Sequence, residues 1–196
     1  NNYFIILASG QSKRFNSKEP KQFNIYKNKP LFKHSIEKAI KSKLFKKIIL
    51  VLNNKKYLKE KLPKNILIIR GGKERSDSSL IALKFIKKFN PGNVLIHDAA
   101  RPNFSIKLLN NLINSLKTNN AVIPVINSND SIKYKIKNQL FNLNRNNSFL
   151  TQTPQAFNFK SLYNLAIKQR NKITDEATLY IENNLKVKFI KGEYSN

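Results

Sequence analysis

The chain has 196 residues and 40% hydrophobic content, enough for one domain, 1–196, with a real core. It has no cysteine, which excludes a disulfide framework and a thiolate metal site, and no apolar run near the roughly 20 residues of a membrane span. Lys and Arg number 37 against 11 Asp and Glu, a net charge of +26 that invites a polyanion as partner.

In chain order, "YFIIL" (3–7) predicts a strand, and "LASGQSKRF" follows it at once. Backbone N–H groups just after a strand form an anion site, and Gly10 is expected at positive φ, close to a phosphate. Lys13, Arg14 and Lys21 add charge; the plain alternative is a basic surface loop. The P-loop pattern is absent. After Pro30, the spacing of Leu31, Ile36, Ala39 and Ile40 predicts a helix over 31–42. Strands are expected over 47–52 and 65–70. "GGKERSDSS" (71–79) then offers two glycines for close backbone approach, with Gly72 and Ser78 placed to touch a base or ribose, and Asp77 as a helix cap. A helix over 79–89 and a strand over 93–98 follow.

"HDAARP" ends that strand. Asp98 sits where a strand's carboxyl end meets a ligand crevice and could hold Mg²⁺, which prefers oxygen ligands. Arg101 could meet a second phosphate bidentately. His97 has no His or Cys partner at ligand spacing and is read as structural. A helix over 106–116 and a strand over 121–126 complete the alternation. From 131 to 152 the period changes to two, "SIKYKIKNQLFNL", which predicts a β-hairpin; inserted late in an α/β domain it reads as an arm that packs on a partner subunit, the plain alternative being a small solvent-facing hairpin. Helices over 159–169 and 175–184 and a strand over 187–192 close the chain. Continuous apolar strands between helices mean an α/β, Rossmann-like, mostly parallel sheet with helices on both faces and an inserted β-arm.

With two His and no G-x-S-x-G, no nucleophile–base set is present. A cation-rich anion site with one placed carboxylate points to phosphoryl or nucleotidyl transfer, where catalysis is positioning and charge neutralisation. The positive charge reads mainly as composition. There are 31 Lys and only 6 Arg, scattered along the chain, alongside abundant Asn and Ile, which share A/T-rich codons with Lys. A nucleic-acid partner would instead need a concentrated basic face or aromatic platforms. No nucleic acid and no membrane are expected as partners, and the location is cytoplasmic.

"LASGQSKRF…PKQF", "GGKERSDS", "HDAARP", "DSIK", "LTQTPQAF" and "ITDEA", in this order over essentially the whole chain, resemble the 2-C-methyl-D-erythritol 4-phosphate cytidylyltransferase family. The resemblance implies that CTP and methylerythritol phosphate give the CDP-linked alcohol and pyrophosphate, with Mg²⁺ as cofactor. It implies that Ala8, Ser9 and Gly10 line the CTP site, and that Gly72 and Ser78 read the cytosine and its sugar neighbourhood. Arg14 and Lys21 would neutralise the transition state and leaving pyrophosphate, and Asp98 would hold the metal. Arg101 would lie beside the sugar alcohol, with Ser131 and Arg145 reaching it from a neighbouring subunit's arm in a homodimer. The nearest alternative is a ribitol 5-phosphate cytidylyltransferase, from which "HDAARP" leans away. Other classes are a basic nucleic-acid-binding module and a catalytically dead scaffold. The chain departs from the family's "AAGxGxR" loop at Ser9 and Ser12; positive φ at Ser12 would cost about 1 kcal/mol. Ser131 replaces Thr. No Met starts the chain, and the family's "IK[IV]T" segment does not follow "GEYSN", so the sequence reads as a fragment lacking that Lys. The missing continuation could lead into a fused second domain.

Overall fold

The computed structural model describes residues 1–10, 20–54 and 62–196. In chain order the elements are β1 (Asn2–Leu7), β2 (Ile25–Tyr26), β3 (Lys29–Pro30), α1 (Leu31–Ser42), β4 (Lys47–Val51), β5 (Ile66–Ile69), α2 (Arg75–Ile86), β6 (Asn93–Asp98) and α3 (Ile106–Ser115). There follow β7 (Ala121–Asn127), β8 (Ile132–Ile136), β9 (Gln139–Leu143), β10 (Phe149–Thr151), β11 (Gln155–Asn158), α4 (Phe159–Ala166), α5 (Ala177–Glu182) and β12 (Lys188–Lys191). None of the described helices is long and apolar enough to cross a membrane.

The main sheet has eight strands, in the order β10-β7-β11-β6-β1-β4-β5, with β12 also on β7. β1 is parallel to both β4 and β6, and β5 is parallel to β4. β12 runs parallel to β7, whereas β10 and β11 run antiparallel to it. The expected mostly parallel α/β sheet is therefore present, with antiparallel strands entering on the β7 side. The apolar runs alternate between two cores, as the two-residue period of a strand requires. Phe4, Ile6, Ile48 and Leu50 pack with Phe32 and Ile36 of α1 and Leu109 and Leu112 of α3. Tyr3, Ile5, Ile49 and Val51 pack with Leu83 and Ile86 of α2, Leu162 of α4 and Tyr180 of α5 on the other face.

The structure departs from the sequence expectations in three places. Helix α2 begins at Arg75 rather than 79, because Glu74 N–H bonds the Asp77 carboxylate and starts the turn earlier. β11 was not expected; "QAFN" forms an antiparallel strand wedged between β6 and β7. The segment 131–152 divides in two. β8 and β9 pair only with each other, while β10 returns to the main sheet along β7.

Ile5 is fully buried and paired on both sides, to Ile49 and Ile96. Ile5→Ala is expected to lower unfolding stability by about 3 kcal/mol. Ile181→Ala, at a residue 58% exposed, should stay within about 0.5 kcal/mol. Urea unfolding of both variants checks the difference.

Candidate active site

The strand register sets the site. Leu7 pairs with Val51 on one side and Asp98 on the other, and Val51 pairs with Ile69. Four parallel strands thus end in one row, and the loops after them converge at the carboxyl ends, where α/β sheets bind ligands.

The loop after β1 is tied at both ends of its excursion. The buried Gln22 amide donates to Ala8 O (2.9 Å) and Gly10 O (2.7 Å). No described glycine has positive φ, so the expectation for Gly10 is corrected. Gln22 holds its carbonyl, and among the described residues a side chain there would meet nothing within 4 Å. Ser9 Oγ lies 2.8 Å from Ser78 Oγ. Ser78 Oγ donates to Glu74 O (3.0 Å) and accepts from Gly72 N (3.1 Å), so Ser9 is the donor of the pair. A Cβ on Gly71 would come within 2.4 Å of Ser9 Oγ, and one on Gly72 within 2.4 Å of Asp77 Cβ. Glycine is thus required where the two loops touch. Ser9, Gly72 and Ser78 meet here, with Ala8 and Gly10 on either side of Ser9 held by Gln22, but Ser78 is buried and its hydroxyl is engaged within the protein. Its part is to join the two loops. Ser9 supplies the joining proton.

Asp98 is held by a residue that sequence reasoning missed. Arg75, the first residue of α2, donates from Nε to Asp98 Oδ1 at 2.8 Å. Its other two nitrogens grip the Glu176 carboxylate at 2.9 and 3.1 Å. Glu176 is 1% exposed. Burial works against the Arg75 charge, but Glu176 and Asp98 more than compensate and raise its pKa. Three quoted motifs, "GGKERSDS", "HDAARP" and "ITDEA", meet in this one guanidinium. Asp175, beside Glu176, accepts from the Gln155 amide (2.8 Å) and from Thr178 N (3.1 Å), which fixes "ITDEA" against β11.

His97 is structural, as its sequence setting suggested. It is fully buried between Phe4 and Phe104. Nε2 lies 2.9 Å from Arg101 O, which can only accept, so Nε2 carries the proton. Nδ1 then accepts from the Thr153 hydroxyl (3.0 Å), whose oxygen in turn accepts from Asp98 N–H (3.2 Å). Burial pushes the His97 pKa down to about 3.

Arg101 is half-buried on the loop after β6, and its N–H bonds Asp98 O (3.0 Å). Lys21 is exposed at the start of a 3-10 turn (Lys21–Phe23), next to Gln22. Arg14 lies outside the described residues. Ser131 and Arg145 are exposed on the segment that carries β8 and β9, where Ser131 Oγ accepts from Lys133 Nζ (2.8 Å). They ride on an element separate from the main sheet.

Among the described residues, no three His, Cys, Asp or Glu side chains cluster as metal ligands. One anchored carboxylate, Asp98, with its side chain 35% exposed, suits a Mg²⁺ ion that takes its remaining ligands from phosphate oxygens and water.

The family model of 2-C-methyl-D-erythritol 4-phosphate cytidylyltransferase (IspD) matches residues 3–196. A bifunctional enzyme IspD/IspF of Pelagibacter ubique is 53% identical over 198 residues, covering 100% of this chain and 53% of its own length. The chain thus spans about half of that relative. A 2-C-methyl-D-erythritol 4-phosphate cytidylyltransferase of Caldicellulosiruptor bescii is 35% identical, covering 98% of this chain and 88% of its own. The crystal structure of 4-diphosphocytidyl-2C-methyl-D-erythritol synthase from Anaerococcus prevotii superposes with a TM-score of 0.86 at 29% identity, covering 100% of this chain and 88% of that one.

Glu176→Ala would leave Arg75 half-paired in a buried setting. A loss of about 3 kcal/mol is expected on thermal or urea unfolding. His97 gives a pH dependence of fixed sign. Its folded pKa lies below the unfolded value of 6.5, so its contribution is full above that pH. Below pH 6.5 the unfolded state takes up the proton and stability falls by about 1 kcal/mol per pH unit. Urea midpoints at pH 7, 6 and 5, with ring NMR showing His97 still neutral at pH 5, test this.

Proposed function

The chain belongs to the 2-C-methyl-D-erythritol 4-phosphate cytidylyltransferase family, and we propose that it transfers CMP from CTP to 2-C-methyl-D-erythritol 4-phosphate, giving 4-diphosphocytidyl-2-C-methyl-D-erythritol and pyrophosphate. The observation that supports this reading is the row of strand ends, which carries both the Ser9–Ser78–Gly72 junction and the Arg75-held Asp98. A phosphate oxygen of the sugar alcohol forms the new bond to the α-phosphorus of CTP. The bond from that phosphorus to the β-phosphate oxygen breaks, and pyrophosphate leaves with the electron pair. The attacking group is already an anion, so the step needs no protein base. That fits a site whose buried histidine is neutral and fully bonded.

Ala8, Ser9 and Gly10 form the wall for the triphosphate, and Gly72 and Ser78 hold the opposite wall toward the base and ribose. Arg14 and Lys21 neutralise charge on the pentacovalent phosphorus and the leaving group. Asp98 would hold Mg²⁺, which screens the phosphate charges when bound. Arg101 faces the sugar alcohol. Ser131 and Arg145 belong to the site of a second copy, so the active species is a homodimer joined through the arm. Supporting this, the β8–β9 hairpin exposes Ile136 (53%) and Leu140 (72%), apolar surface suited to a partner. The setting is cytoplasmic, where CTP is available.

The test is pyrophosphate release by the full-length protein from CTP and Mg²⁺, with methylerythritol phosphate and ribitol 5-phosphate in parallel. Release is expected with methylerythritol phosphate, reduced about 10²-fold or more in kcat by Lys21→Ala or Arg14→Ala. Arg145→Ala should instead raise KM for methylerythritol phosphate. Faster turnover of ribitol 5-phosphate would overturn the substrate assignment, and wild-type turnover in Lys21→Ala would overturn its role.

A further inference from the structure

The loop between β6 and α3 carries Arg101 and is gripped along its length. His97 donates to Arg101 O, at 2.9 Å. Lys38 of α1 reaches across and donates to Pro102 O (2.6 Å) and Phe104 O (2.8 Å), with its ammonium over the Phe104 ring. Burial lowers the Lys38 pKa, against the pull of Glu193. The last grip comes from far along the chain. Glu193, just after β12, accepts from Ser105 N at 2.8 Å through Oε2, and from the Ser105 hydroxyl through Oε1. Ser105 is the N-cap of α3 and also bonds Leu108 N (3.0 Å). A carboxylate at that helix start is doubly favoured, by the free N–H groups and by the helix dipole.

Glu193 is itself held in place by a built socket. The buried Gln152 amide accepts from Glu193 N (2.9 Å) and donates to Glu193 O (2.7 Å), so both backbone groups of Glu193 are fixed by one side chain. Gly192 makes room for this contact; a Cβ there would lie 2.4 Å from Gln152 Oε1. Gln152 directly precedes Thr153, whose hydroxyl bonds Asp98 N–H and His97. Gln152, Gly192 and Glu193 therefore form one bracket between the end of β12 and the far end of the Arg101 loop.

We propose that Glu193 is a positioning residue for Arg101: its carboxylate, seated by Gln152 and Gly192, locks the start of α3 so that the loop presents the Arg101 guanidinium to the phosphorylated sugar alcohol. This rests on the reading of Arg101 as a ligand of that substrate. The nucleotide walls at Ser9 and Gly10 and at Gly72 and Ser78 lie on other loops, and Glu193 bonds the far end of the β6–α3 loop at Ser105 rather than Asp98, so the bracket acts chiefly on the Arg101 side.

The experiment compares the full-length wild type with Glu193→Gln and Gln152→Leu. It reads KM for each substrate, kcat, and amide hydrogen exchange over residues 101–108. Losing a charge-assisted pair of hydrogen bonds should raise KM for methylerythritol phosphate by about tenfold, leave KM for CTP within about twofold, and speed exchange at 101–108. Gln152→Leu should give the same pattern without touching Glu193 itself. Equal rises in both KM values would make Glu193 merely structural and overturn the proposal, as would unchanged exchange in Glu193→Gln. Exchange is read without substrate. A wild type that releases no pyrophosphate would therefore sink the activity reading, while the exchange result still decides whether the bracket holds the loop.

Discussion

A positive charge at the first position of a helix is unfavourable, because the helix dipole places its own positive end there. Arg75 occupies that position in α2 and is largely buried as well. Two carboxylates make the arrangement stable, and their geometry follows from the guanidinium. Its planar fork takes Glu176 through two parallel bonds, which leaves Nε aimed at Asp98. A lysine could neutralise the same charge but could not fix two carboxylates at a set angle. The loop after β5, the end of β6 and the start of α5 are thereby locked to one another. The metal-binding carboxylate inferred at Asp98 gets its orientation from a residue 23 positions away and its rigidity from one 78 positions away.

Much of the framework was legible from periodicity. The runs at 3–7, 47–52, 65–70 and 93–98 were strands, and their parallel pairing placed Asp98 at a carboxyl end as expected. The loops that carry Ser9 and that carry Gly72 and Ser78 were also visible as motifs, though not their contact. What stayed hidden was non-local. Nothing around Arg75 announces a buried ion pair, because its partner Glu176 lies 101 positions away and is buried only once the chain has folded. β11 is short and lies between a proline and a helix, so its pairing with both β6 and β7 had no periodic signature. Gly10 was misread for a related reason. Its glycine suggested backbone freedom, whereas the buried Gln22, twelve residues on, is what holds the chain there.

The buried polar groups beneath the site form one chain of donors and acceptors. Asp98 N–H donates to Thr153, Thr153 to His97, and His97 to Arg101 O. The Nε2 hydrogen faces Arg101 O at 2.9 Å with the Ser35 hydroxyl at 3.1 Å, and Nδ1 accepts from Thr153, so the tautomer is fixed and the ring's lone pair is engaged. Keeping it neutral also spares the core an unpaired charge. The histidine at the start of "HDAARP" thus holds the backbone of the two residues that flank the crevice, Asp98 and Arg101.

The same logic explains how so basic a chain keeps its carboxylates effective. With a net charge of +26, exposed acids would be drawn into scattered surface pairs of little value. Glu74 does pair in this way, with the exposed Lys172, but Asp77, Asp98, Asp175, Glu176 and Glu193 accept hydrogen bonds at loop ends and helix starts. There they stabilise helix N-termini and a buried cation, both of which need negative charge. Many of the described lysines, among them Lys73, Lys84, Lys117 and Lys168, are exposed, and the field they create favours approach of anions. That attraction is spread over the surface, while the geometry at the strand ends depends on a few fixed carboxylates and the arginine that two of them hold.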